Sequence, residues 1–293
     1  MEAAPPSRRG FYSSFHPATA DAAAFIAGLT GMVLAKSLTP GMLDDWGWRA
    51  AFLLGATIVP VGLMLRRSLP ETLHAPEPLP PQPSSPKGGY GRVALLGFVM
   101  LAAATVIGYV QTNLTTYAAN TLHMSSLAAF TATMLSGLFM TGFDPVGGWL
   151  SDRIGRKPVV IASSAALALC AYPAFLTIVR VHTPAALYAA SALLGALTGL
   201  AQPPVLTAIV ESLPRAMRAG TMAIVYALAI SIFGGSTPFM ITWLIDVSGN
   251  PLAPGWYILA AAVLEVGAMS LMRESAPLVA AACPEAAAAD AGG

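Results

Sequence analysis

Eight separate apolar runs, each about as long as a bilayer is thick, constrain this chain more than any other feature. A helix crosses a hydrocarbon core of about 30 Å with roughly 20 residues. Stretches of that kind lie at 15–38, 47–65, 93–117, 127–150, 158–179, 184–210, 219–245 and 255–272. An all-α, polytopic membrane protein follows, with the lipid bilayer as its largest partner. Composition agrees, because only 10% of residues are charged and 56% are hydrophobic. A soluble domain carries about 25% charged residues for its polar shell. A net charge of +1 gives no basis for nucleic-acid binding. The two cysteines, Cys170 and Cys283, are too few and too far apart for a disulfide framework or a metal cluster. No cofactor or metal pattern is present, nor any Gly-x-Ser-x-Gly or His-Glu-x-x-His motif, so the sequence is not that of an enzyme.

Orientation follows from basic residues, which collect on the cytoplasmic side. With the N-terminus inside, 12 of the 15 basic residues face the cytoplasm, and Lys36, Arg49 and Arg180 face outward. One span more or fewer would scramble that alternation. Both termini are therefore expected to be cytoplasmic. No short apolar region with a small-residue cleavage site follows Met1. The chain divides into a helix pair (1–69), a linker (70–92), a six-helix block (93–274) and a tail (275–293). The linker's prolines at 76, 78, 80, 81, 83 and 86 forbid a helix. The tail is Ala-rich and of low complexity, which predicts disorder.

An internal repeat sets the architecture. Glu2-x-x-Pro5-x-x-x-Arg9 precedes the first span, and Glu211-x-x-Pro214-x-x-x-Arg218 precedes the seventh. Gly47-Trp48 opens the second span as Gly255-Trp256 opens the eighth. The first two spans thus correspond to the last two. The third to sixth have no counterpart, which implies a parent of six plus six helices whose first four are absent from this chain.

Between the fourth and fifth spans runs Gly148-Trp-Leu-Ser-Asp152-Arg153-Ile-Gly155-Arg156-Lys157. It resembles the Gly-x-x-x-Asp-Arg-x-Gly-Arg-Arg/Lys loop signature of the major facilitator superfamily. Arg9-Gly-Phe-Tyr12, Trp46-Gly-Trp-Arg49, Arg66-Arg-Ser-Leu-Pro-Glu-Thr72 and Phe233-Gly-Gly-x-x-Pro238 look like its metabolite:proton symporter family. That resemblance implies a partial major facilitator fold: the last pair of the N-terminal bundle plus a complete six-helix C-terminal bundle. It also implies a bacterial cytoplasmic (inner) membrane, and symport of protons with a small metabolite, an organic acid such as citrate. Zwitterion carriers for proline or betaine belong to the same family and stay open as an alternative. So does a membrane fragment without transport of its own.

Gly148 and Gly155 let helices approach and turn. Asp152 is expected at the N-terminal end of the fifth span, where the helix dipole favours an anion. Arg153 and Arg156 are expected to pair with carboxylates such as Glu211, and Asp152 to face Arg218. Together with Lys157 these form a candidate gate that holds in one state and breaks in the other; the plainer reading is a set of charges that only fix orientation. Asp21 and Asp144 are the proton-coupling candidates, since a carboxyl within a span costs about 2.5–3.5 kcal/mol to insert. Glu265 reads as a structural partner on a peripheral helix. Tyr109 and Asn113 share one face of the third span, and with Gln202 and Tyr226 they are substrate-contact candidates. Helix-to-helix hydrogen bonds would account for the same residues. His16 and His123 read as ordinary interfacial positions.

Overall fold

The structure, a computed structural model, describes residues 4–68, 90–213 and 215–276. Among them, eight helices are long and apolar enough to cross a membrane: α1 Arg9–Ser37, α2 Leu43–Met64, α3 Gly91–Thr112, α4 Ser126–Ile154, α5 Arg156–Val181, α6 Pro184–Ser212, α7 Met217–Ser248 and α8 Ala253–Leu271. They match the eight expected spans in number and order. No strand occurs among the described residues. The helix containing α3 begins at Tyr90, so the last residues of the expected linker are helical. The rest of that linker, and the tail from residue 277, lie outside the described residues.

The helices pack because small residues let their backbones meet. Helix α4 is the centre, touching α1 on one side and α6 on the other. Along the antiparallel α1–α4 contact, Gly148 meets Gly10 and Ser14, Gly137 meets Phe25, Gly28 meets Met134, and Gly31 meets the Phe130 ring. A Cβ at any of these glycines would overlap its neighbour. Helices α4 and α6 run parallel, with Gly195 against the Ser136 carbonyl and Gly199 against that of Met140. Around them α5, α6 and α8 close one apolar cluster that includes Leu167, Phe175, Leu194 and Ile258. Helix α2 stands apart: Phe52, Leu53, Ile58 and Met64 are all exposed.

Two buried polar groups tie helices together where they cross. Gln111 on α3 donates to Thr198 on α6 at 2.5 Å and accepts from Ser136 on α4 at 2.7 Å. One amide thereby ties three helices. Glu265 on α8 accepts from Ser164 on α5 at 2.8 Å through Oε2, while its Oε1 has no partner among the described residues. Helix α7 opens into a π-helical stretch at Ala229–Gly234. Pro238, four residues beyond Gly234, has no N–H to give that carbonyl, and such single-turn π segments accommodate the break.

Candidate functional site

The loop signature lies at one end of the bundle, the end where α1 begins. A helix start leaves its first N–H groups without intrahelical acceptors. Asp152, in the last turn of α4, supplies the acceptors for α1: the Gly10 N–H donates to Oδ1 at 2.9 Å and the Phe11 N–H to Oδ2 at 2.8 Å. The carboxylate therefore sits on the positive end of the α1 dipole. Gly10 makes this possible, because a Cβ there would overlap the Arg156 guanidinium and lie 2.6 Å from the Gly148 carbonyl. Arg156 is fully buried and bridges Asp152 at 2.7 Å to Glu211 at 3.3 Å, while also donating to the Ser151 hydroxyl at 2.7 Å. Asp152, Arg156 and Glu211 thus join α4, α5 and α6 to the tip of α1.

The expected partners are partly rearranged. Asp152 caps α1, not α5, because it sits on the last turn of α4 and faces the neighbour that starts beside it. The start of α5 is capped instead by Glu274, which accepts from the Arg156 and Lys157 N–H groups at 2.9 Å each. Gly155 makes the turn between α4 and α5 at φ +108°, a backbone conformation that favours glycine. Lys157 donates to the carbonyls of Ser270 and Met272 at the end of α8. Arg153 pairs with no carboxylate among the described residues; it is exposed and stacks 4.1 Å over the Trp149 ring. Arg218 does not meet Asp152 either, since that carboxylate is taken by α1 and Arg156. The sequence offered no signal for Glu274. Its neighbour Ser275, at the boundary of the expected tail, donates to Glu211 at 3.0 Å.

Inward from this clamp, α1, α3, α6 and α7 enclose a cavity of about 390 Å³. His16, Asp21, Tyr109, Met140, Gln202 and Tyr226 are among its walls. A second hollow of about 570 Å³ continues toward the clamp end, sharing His16, Leu206 and Tyr226 and adding Tyr12, Ser13 and Arg218. Sites for small ligands typically measure about 300–1,000 Å³. Tyr109 holds its place against Gly234, where a Cβ would lie 2.8 Å from its ring. Arg218 donates to the Leu213 carbonyl at 3.1 Å, and its buried Nε has no partner among the described residues. The Gln202 carbonyl oxygen is likewise buried and unpartnered.

Three of the four expected contact residues, Tyr109, Gln202 and Tyr226, therefore share one wall. Asn113 does not line it. The turn between them is intact, the Asn113 N–H donating to the Tyr109 carbonyl at 3.0 Å, but Asn113 stands one turn further along, where the cavity wall on α3 has ended at Thr112. Asp21 lies on the cavity wall, and Asp144 behind it is fully buried.

Residues 96–282 match the Major Facilitator Superfamily. The chain belongs to that superfamily. Among curated relatives, the citrate-proton symporter of Klebsiella pneumoniae is 33% identical over 269 residues, which cover 89% of this chain and 60% of that protein. The alpha-ketoglutarate permease of Escherichia coli (strain K12) is 31% identical over 274 residues, 90% of this chain and 61% of its own length. The ectoine/proline transporter ProP of Corynebacterium glutamicum is 30% identical over 300 residues, 94% of this chain and 58% of its own length. The chain spans about 60% of the length of the curated relatives it matches. As a major facilitator chain it carries the loop signature on the α4–α5 turn, and its cavity lies between α1 and the helices that follow. His16, read from the sequence as an ordinary interfacial position, is a member of this site, and so is Ser13, which the sequence did not single out. Ser13 meets the Thr207 hydroxyl at 2.5 Å, a second polar tie between α1 and α6.

Proposed function

We propose that the protein is a secondary active transporter of the bacterial inner membrane that moves a small organic acid such as citrate together with protons. The observation that carries this reading is the pairing of a ligand-sized cavity with a charge clamp at one end of the same helix, α1. Alternating access needs a contact that is stable in one state and dispensable in the other. The Asp152 cap has that character: its two backbone donors can be satisfied by water once α1 moves, whereas apolar packing cannot be exchanged so cheaply. By the positive-inside rule the clamp end is the cytoplasmic end, with both termini on that side.

An organic anion is favoured over a neutral solute by Arg218. Its Nε is buried without a partner on the wall of the larger hollow, and a guanidinium binds a carboxylate through paired N–H donors. A zwitterion such as proline or betaine is the second reading, favoured by the Asp21 carboxyl on the same continuous cavity. The Mechanism common to both is substrate entry between α1 and the six-helix block, closure, and release at the clamp end when Asp152 lets go. Proteoliposomes given labelled citrate, 2-oxoglutarate or proline under an imposed pH gradient test it. Gradient-driven citrate or 2-oxoglutarate uptake supports the first reading, and proline uptake alone supports the second. Absence of all three, with uptake present in a longer polypeptide of its relatives' length, would assign transport to that longer form.

A further inference from the structure

The carboxyls of Asp21 and Asp144 lie within hydrogen-bonding reach of each other across the α1–α4 contact. Asp144 is 0% exposed and Asp21 8%. Among the described residues, neither oxygen of Asp144, nor Oδ2 of Asp21, receives a hydrogen bond. Buried carboxylates are ordinarily held by donors or by a counter-ion, and here there is neither. On the cavity side the pair is faced by His16 on α1, Tyr109 on α3, Gln202 on α6 and Tyr226 on α7. Over Asp144, α6 presents Gly199, whose missing side chain leaves the space beside the Asp144 backbone. No Lys or Arg lies among these wall residues.

We propose that Asp21 and Asp144 form one proton-binding site, holding a single proton between them while α1 and α4 are in contact. Two facing carboxylates without a donor repel each other. One proton converts them to an O–H···O⁻ pair and takes the site from −2 to −1, with no other reactant. The two acids ride on different helices, so separation of α1 from α4 breaks the hydrogen bond and exposes Asp21 first, since it already borders the cavity. Both helices are weakened at this level. Pro17 lies four residues before Asp21, and Pro145 follows Asp144 directly. Each proline leaves a carbonyl one turn earlier without its donor, which allows a bend at Ser13–Pro17 in α1, on the clamp side of Asp21, and at Thr141–Pro145 in α4, spanning Asp144. The purpose of this site rests on the proton-symport reading; its chemistry does not.

Infrared difference spectroscopy of the chain in lipid nanodiscs, titrated with acid and base at fixed low sodium, reads the shared proton directly. The expected result is the broad absorption of a proton held between two carboxyls, lost in D21N and in D144N alike and retained in H16Q and E265Q. Absence of that absorption in the unaltered chain at every pH overturns the proposal, as does its survival in either single Asn variant. Its removal by added sodium at constant pH also overturns it, assigning the two acids to a metal cation. Labelled-citrate counterflow separates this from transport itself. Where D21N or D144N supports counterflow, its pH-gradient stimulation is expected to fall by about tenfold or more, within the usual range of site-to-site coupling. If no chain shows counterflow, the transport reading falls while the infrared result still decides the proton site. Counterflow with undiminished pH-gradient stimulation in both variants overturns the pair's role in coupling.

Discussion

Replacing Asp152 with alanine should release the tip of α1 while leaving the bundle folded. The carboxylate accepts the Gly10 and Phe11 N–H groups and pairs with the buried Arg156. Hydrogen bonds to a charged group contribute about 1.5–3 kcal/mol each, so the two backbone bonds together reach roughly 3–6 kcal/mol. Water satisfies the same N–H groups once the end opens, and Glu211 still holds Arg156, so the smaller figure applies. A loss of about 3 kcal/mol corresponds to an opening equilibrium about 100-fold more favourable at ~1.4 kcal/mol per decade. Amide hydrogen exchange reads this at two specific positions. Gly10 and Phe11 stand at the start of a helix, where no intrahelical carbonyl protects them, so their protection reports Asp152 itself. Exchange at these two amides is expected to rise about 100-fold in D152A and by less in D152N, which keeps one carbonyl acceptor. A rise of less than about threefold at both amides, in a chain whose α4 and α6 amides remain protected, would refute the clamp.

Three other perturbations follow from the same geometry. G148V places a branched side chain where even a Cβ would overlap the Gly10 carbonyl; a destabilisation of about 1–3 kcal/mol is expected, read by thermal unfolding in detergent. E274A removes the acceptor of the Arg156 and Lys157 N–H groups, and should cost about 1 kcal/mol, as other helix caps do. Faster exchange confined to those two amides would identify the loss as a cap. R218A deletes the guanidinium whose Nε is left without a partner among the described residues beside the larger hollow, and a KM for organic-acid uptake raised at least about tenfold is expected from one charge-assisted contact. An unchanged KM would remove Arg218 from substrate binding.

Much of this arrangement was legible in the sequence because membrane helices announce themselves by length and apolarity. The eight spans, the α4–α5 loop and the pairing of Arg156 with Glu211 all follow from position along the chain. What the sequence hid is contact between helices far apart in it. Asp152 is four residues from Arg156 but 142 from Gly10, and nothing in the local pattern distinguishes capping α5 from capping α1. Glu274 was invisible for the same reason, standing after the last span beside an Ala-rich tail. Asn113 misled because residues i and i+4 share a face yet stand about 6 Å apart along the axis, and the cavity wall on α3 ends at Thr112. His16 lay in plain view, yet a lone histidine near a span end carries no signal until the cavity wall is known.

The clamp and the acid pair draw their meaning from being on the same two helices. At 1.5 Å per residue, Asp144 lies about 12 Å along α4 from Asp152, and Asp21 about 16 Å along α1 from Gly10. Beyond the acids, α1 and α4 meet backbone to backbone at Phe25 and Gly137 and at Gly28 and Met134, and then the Phe130 ring packs on Gly31. Those contacts are close-packed and have no exchangeable polar partner, so parting them would forfeit dispersion with nothing in return. The Asp152 end is different, because water can replace what it loses. Separation therefore starts at the Arg9 end of α1 and runs toward the Gly28 region, with Pro17 and Pro145 marking where the helices can bend. The acid pair stands between the end that opens and the end that holds. Breaking the clamp thus loads the carboxyl hydrogen bond next, and a proton shared there resists the opening that its loss would permit.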